Sequence, residues 1–273
     1  MRKHPRNLHW TTPTVPGVSH GLAAEAFNLS GKRVAELGTA VLCKAVPGDA
    51  NSPLPLVFED DDRKQFAVAG VSTGKRKDLR YPMSGKPVAW AFDERGELRA
   101  LTSADTSFWL DTTQLTQWYR RVDGKWLQLE SHPVTQEPWR PIAARAETEE
   151  LIVAARHGRD TSAIFNDDPL ERRYTELLAG HPQEDIVDVD DPLAATFGSP
   201  VTQGLKPQRH WFNARWTGLQ QEVDKALPGR INEFSGDPQG RVLVHAYGDT
   251  DPGAWYLLQA ATMALTLTRM LVA

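Results

Sequence analysis

The sequence predicts an all-β chain of β-propeller type, incomplete, with about five blade-like units and one inserted helix near 214–227. Three observations predict it. Short β-prone runs alternate with turns built on Asp, Asn or Gly, as in "FNLSGKRVAEL", "AWAFDERGELRAL", "WYRRVDGKWLQLE", "EFSGDPQGRVLVHAY" and "DTDPGAWYLLQA". Each is a hairpin signal, because Gly, Asp and Asn accept the dihedrals that a tight reversal demands. Pairs of such hairpins make four-stranded units of roughly 40 to 45 residues, the length of a propeller blade. Helical spacing, by contrast, is confined to "ARWTGLQQEVDKALPGR", where Trp216, Leu219, Val223 and Leu227 fall on one face and Pro228-Gly229 ends the run.

In chain order, residues 1–22 read as an irregular N-terminal segment, because Pro13 and Pro16 break any regular strand. Residues 23–273 read as the propeller domain. Within it "AVPGDANSPLPLVFEDDDRKQ" reads as a long loop rich in proline and acid, where a blade is incomplete. Blade-like units then fall at about 86–131, 139–180 and 230–273. The C-terminal "AWYLLQAATMALTLTRMLVA" approaches membrane length but carries Gln259 and Arg269 and alternates with period two, so it reads as paired strands.

With 273 residues, 40% of them hydrophobic and 24% charged, the chain has ordinary globular composition and enough apolar matter for a sizeable core. A net charge of -4 and only short basic runs exclude a nucleic-acid partner as the expected ligand. The single cysteine, Cys43, allows no intrachain disulfide. The first residues are basic but lack an apolar core segment, so no export signal is read and a cytoplasmic location is expected. The eight histidines show no metal-binding spacing, and neither a metal nor an organic cofactor is expected.

Two stretches fit the Gly-x-Ser-x-Gly pattern of a hydrolase nucleophile turn: "GVSHG" around Ser19 and "GVSTG" around Ser72. The chemistry needs a strand running into a tight turn and a helix leaving it, whose first amides help hold the oxyanion. Ser19 lacks the strand, because of its prolines. Ser72 follows "KQFAVAG", which is strand-like, but precedes "KRKDLRYPMSG", which has no apolar helical stripe. Neither serine is expected to be a nucleophile, and no catalytic residue is assigned.

The remaining polar clusters read as structural. Asp188 and Asp190 of "DIVDVDDP" lack the Gly and distal Glu of a calcium loop and read as a solvated strand edge. His157, Arg159 and Asp160 of "HGRDTSAIF" read as a turn held by local bonds. Trp90, Trp118, Trp126, Trp139 and Trp255 lie in or beside predicted strands, where large rings fill the space between stacked blades. Arg99 and Arg156 are candidates for binding a peptide terminus that the sequence does not rank.

The string "VSTGKRKDL", "WAFDERGELRAL", "WYRRVDGKWLQL", "WRPIAARAETEELIVAARHGRDTSAIFNDD", "LLAGHPQEDIVDV", "LQQEVDKALPGRIN" and "RVLVHAYGDTDPGAWYLLQAAT", over about residues 65 to 270, resembles the propeller of prolyl-oligopeptidase-family serine peptidases, of the acylaminoacyl-peptidase or dipeptidyl-aminopeptidase type. The resemblance implies a substrate-gating propeller that precedes an α/β-hydrolase domain carrying Ser, Asp and His. That domain is expected to lie outside this chain, so no family catalytic residue carries over and no activity is expected of the chain alone. It also implies partners: a hydrolase domain or chain, peptides, and self-association through the face that the hydrolase would cover. A subunit of a split peptidase and a free-standing peptide-binding propeller are the alternatives.

Overall fold

The computed structural model describes residues 7–12, 15–20, 23–27, 32–42, 53–60, 63–70, 75–82, 85–107, 112–136, 139–189, 200–203, 207–209, 211, 214–236 and 240–268. The chain gathers into two compact units. One comprises Met1–Leu56, Ala69–Arg76 and Trp211–Ala273, the other Val57–Val68 and Lys77–His210. The fold is all-β, an incomplete β-propeller of antiparallel meanders with one helix among the described residues.

In the first unit, β1 (Asn7–Thr12), β2 (Val15–His20), β3 (Ala23–Phe27) and β4 (Arg33–Leu42) form a four-stranded meander. Two of these strands occupy the N-terminal stretch that the prolines made irregular. Pro16 is accommodated because it pairs with Trp10 where the β1–β2 register slips, a place where a missing backbone donor disturbs the ladder least. Three strands follow in the chain: β5 (Pro53–Asp60), β6 (Arg63–Gly70) and β7 (Arg76–Asp78). β5 and the start of β6 fall within the stretch expected to be a proline-rich loop, whose residues 45–52 lie outside the described residues. In β5, Pro53 and Pro55 stand two residues apart, so both missing donors fall on one side of the strand and the other side keeps its amides.

The second unit holds three successive meanders. β8 (Lys86–Phe92), β9 (Leu98–Ser107), β10 (Thr112–Arg120) and β11 (Trp126–Pro133) make the first. β12 (Arg140–Ala144), β13 (Leu151–Ala155), β14 (Ala163–Asp168) and β15 (Arg173–Ala179) make the second. β16 (Ile186–Val189), β17 (Pro200–Gln203) and β18 (Pro207–Arg209) make a shorter third. The first two match the units expected at 86–131 and 139–180. The leading strand of the second meander, β12, lies against β8 and β9 of the first, as leading strands do when blades stack around a common axis.

The "LIVAA" of β13 is buried along its whole length. Alternation explains how: Leu151, Val153 and Ala155 join a core with Ala91, Ala100 and Tyr119 of the preceding meander. Ile152 and Ala154 face the other way, onto Ile186 and Val189 of the following one. A strand sandwiched on both faces needs an unbroken apolar run, and the sequence supplies one.

The hairpin turns follow the residues that announced them. In "FDERGEL", the Asp93 carboxylate accepts from the Arg95 and Glu97 amides, both at 2.9 Å, and Gly96 takes a φ of 75°. In "RVDGKW", the Asp123 carboxylate accepts from the Lys125 amide at 3.0 Å in the same way.

The first unit ends in α1 (Ala214–Ala226) and the meander β19 (Ile231–Gly236), β20 (Arg241–Gly248), β21 (Asp251–Gln259) and β22 (Ala264–Thr268). The helix appears where its apolar spacing placed it: Trp216, Leu219 and Val223 pack on Val242, Val244 and Leu258. Trp211 stacks on Trp216 with ring centroids 4.8 Å apart, extending that core past the start of the helix. The C-terminal apolar stretch forms paired strands, and no helix among the described residues is long and apolar enough to cross a membrane. The reversal in "GDTDPG" sits at Asp249 and Thr250, while Gly253 lies within β21 at a φ of +91°. A Cβ there would come within 2.4 Å of the Ala246 carbonyl oxygen, which accounts for glycine at this place. The leading strands β1 and β19 run beside each other in this unit.

Candidate functional site

Ser19 lies inside β2, paired with Asn7 and Ala24 in the ladder rather than at a strand-to-helix turn. Ser72 lies outside the described residues, and the described chain that follows it, β7, is a strand. Asp188 is in β16 and Asp190 lies outside the described residues; no group of metal-ligating side chains occurs among the described residues.

Arg99 is not available to a peptide, contrary to its candidacy. It is 2% exposed. Its Nε donates to the Arg120 carbonyl at 2.7 Å, and Nη1 donates to the Arg145 carbonyl at 2.7 Å. Nη2 donates to the Thr148 carbonyl at 3.2 Å and to the Tyr119 hydroxyl at 3.0 Å. Asp93 and Glu149 each stand 3.6 Å away as counter-charges. Tyr119 passes the network on, its hydroxyl donating to Glu149 at 2.5 Å. Burial and that carboxylate push the Tyr119 phenol above its usual range, so it stays a donor. Burial also raises the Asp93 carboxyl, a tendency its turn amides oppose. The guanidinium therefore ties the β8–β11 meander to the β12–β13 turn: five donors in a planar fork match a ring of carbonyls.

Arg156 has a different setting. It follows β13 at the end of the strand, is partly exposed, and donates to the Asp160 carbonyl and to Asp185 at 3.4 Å. Asp185 also accepts from the Ser162 amide at 2.6 Å, and the Ile186 amide returns to the Ser162 carbonyl at 3.2 Å. The turn of "HGRDTS" is thus held by local bonds, as expected, although its ion pair is made by Arg156 and Asp185 rather than among His157, Arg159 and Asp160. His157 instead stacks against Tyr174 and Phe165, at centroid distances of 4.3 and 5.6 Å.

Arg156, Ser162, Asp185 and Ile186 border a cleft of about 410 Å³ lying wholly within the second unit. Its apolar lining is Val88, Ala89, Leu115, Trp139, Ala154, Ala155 and Ile186. Its polar rim is Arg140, Arg156, Ser162 and Asp185, with Thr102 from β9. Register brings both arginines to the cleft: β12 and β13 pair antiparallel with Arg140 opposite Ala154, and Arg156 follows two residues later, so the two fall on the same face of the pair. Thr102 is 3% exposed and its hydroxyl oxygen has no hydrogen-bond partner, an uncommon state for a buried polar group.

Sequence reasoning named Arg156 and Trp139 but missed Arg140, Thr102 and Asp185. Their shared signal is tertiary: Thr102 lies in β9, Arg140 starts β12 and Asp185 precedes β16, so only strand pairing and stacking bring them together. Four of the five tryptophans named from the sequence make contacts within the fold. Trp90 meets Phe66 edge-on at 5.3 Å, Trp139 packs on the inter-blade core, Trp118 donates to Ser103 at 3.2 Å, and Trp255 stacks on His245 at 4.4 Å.

No protein-family description matches the chain, and no curated protein does. Among solved structures it is similar to TolB from Acinetobacter baumannii, at 10% identity and a TM-score of 0.43, covering 87% of this chain and 57% of that one. It is similar to a putative TolB from Agrobacterium tumefaciens, at 8% identity and a TM-score of 0.42, covering 98% and 81%. The tricorn protease is a third, at 11% identity and a TM-score of 0.41, covering 97% of this chain and 30% of that one. At such identities, function has to be argued from the cleft itself.

Proposed function

We propose that the chain is a non-catalytic propeller module that binds peptides, serving as the substrate-gating part of a serine peptidase of the prolyl-oligopeptidase kind, whose hydrolase domain does the chemistry. The observation that carries this reading is the cleft: an apolar wall with a basic rim and no nucleophile-base pair among the residues that line it. Such a surface can hold an extended chain by its side chains and its charge but cannot cleave it, since acyl transfer needs a nucleophile, a base and an oxyanion site within bonding reach. The sequence resemblance to the propeller of those peptidases supports the same role.

The test has two arms. Incubated alone with acyl-alanyl and aminoacyl-nitroanilide substrates, the protein releases no chromophore and takes no label from a fluorophosphonate probe. A fluorescein-labelled peptide, titrated with the same protein, shows a saturable rise in anisotropy. Turnover or labelling that disappears in Ser19→Ala or Ser72→Ala contradicts the non-catalytic role; absence of any peptide binding contradicts the gating role.

A further inference from the structure

The cleft has a polarity that says which part of a peptide it receives. Two guanidinium groups and one carboxylate line its rim, so its own charged groups sum to one positive charge. Asp185 is already engaged, by the Ser162 amide at 2.6 Å and by Arg156 at 3.4 Å, so it orients Arg156 within the rim. The planar fork of an arginine matches a carboxylate, which it can hold through two parallel hydrogen bonds. Thr102 adds a buried hydroxyl without a partner on the wall of the same cleft, and such a group gains most from a ligand oxygen. The same cleft is lined by the apolar Val88, Leu115, Trp139 and Ile186, of which Val88 is 47% exposed. That lining suits an aliphatic side chain.

Resting on the peptide-binding reading above, we propose that this cleft captures the C-terminal carboxylate of a peptide, with Arg140 and Arg156 holding the carboxylate, Thr102 hydrogen-bonding to it, and the apolar wall receiving the last side chain. Capture of a chain terminus by fixed polar groups is an established mode of peptide recognition. It would make the module select free chain ends over internal segments.

The probes are a fluorescein-labelled alanine-leucine pentapeptide as its free acid and the same peptide as its C-terminal amide, each titrated by anisotropy with the full chain. The acid is expected to bind at least tenfold more tightly than the amide. Arg140→Gln, at an exposed position at the start of β12, is expected to weaken the acid about tenfold and leave the amide unchanged, closing the gap between them. Thr102→Val is a second variant, which keeps the side-chain shape and narrows the gap by a smaller factor. Equal affinity for acid and amide in the unaltered protein overturns the carboxylate assignment while leaving the peptide-binding reading intact. Binding of neither peptide overturns both. N-acetylleucine competing with the affinity of the pentapeptide itself assigns the cleft to small acids and overturns the peptide as the source of the carboxylate.

Discussion

Replacing Asp167 with asparagine should stabilise the protein at neutral and alkaline pH. Asp167 is 5% exposed on β14, and burial, helped by the nearby charges of Asp168 and Glu130, pushes its carboxyl up to about 7 from the ordinary 3.8. Asp167 in turn joins burial and Glu130 in raising neighbouring Tyr174 to about 12. A carboxyl whose folded value is raised contributes its full stabilisation below the unfolded value. That contribution falls as pH rises and is gone above the folded value. Between 3.8 and about 7 the loss amounts to roughly 4 kcal/mol, at about 1.4 kcal/mol per tenfold change in proton affinity. About 3 kcal/mol of it falls between pH 5 and pH 9. A side-chain amide carries no charge to desolvate, so the Asp167→Asn chain escapes this loss. Urea melts of both proteins at pH 5 and pH 9 measure the difference. Asp167→Asn should gain about 2–4 kcal/mol on the unaltered protein between the two pH values, a midpoint gain of roughly 4–12 °C by thermal melting. A stability difference that does not change with pH would show that the carboxyl is solvated in the folded chain and refute the reasoning.

Other perturbations test the architecture. Arg99→Met keeps the length of the side chain but strands the buried Asp93 without its counter-charge and leaves Glu149 with Arg121, and should cost about 3–5 kcal/mol in chemical denaturation; a loss under about 1 kcal/mol would mean the network is dispensable. Gly253→Ala combines a left-handed φ of +91° with a contact of 2.4 Å to the Ala246 oxygen and should cost on the order of 2 kcal/mol or more, read as a lowered thermal midpoint. Leu151→Ala, at the middle of the inter-blade core, should cost about 2–5 kcal/mol. A neutral result there would place β13 outside the core.

The strands that the sequence made legible are those whose turns carry their own chemistry. Asp93 with Gly96, and Asp123 with Gly124, announce reversals because side chain and backbone satisfy each other within a single turn. The helix was legible for the same local reason, since Trp216, Leu219 and Val223 share a face at any tertiary arrangement. What hid was decided at a distance. Pro16, Pro53 and Pro55 argue against strands locally, but a register slip or an amide-free side admits them. Arg99 looks like an ordinary strand-surface arginine until the 145–149 turn wraps carbonyls around it. Arg140 and Arg156 flank the β12–β13 hairpin, and the pairing of Arg140 with Ala154 decides that they fall on one face.

The placement of Arg99 bears on how the chain comes apart. Stacked repeats hold together through a sum of each repeat's own stability and the stability of its interfaces, and weak interfaces let repeats melt one by one. A guanidinium whose fork closes on carbonyls from both meanders moves free energy from within a repeat to the boundary between two. If the second meander opens, the buried guanidinium loses the Arg145 and Thr148 carbonyls, and if the first opens, those carbonyls lose their donor, so the two should open together. In amide hydrogen exchange, residues of β9, β10, β12 and β13 should share one opening free energy, and Arg99→Met should split them into two exchange groups, turning one cooperative block of the chain into two.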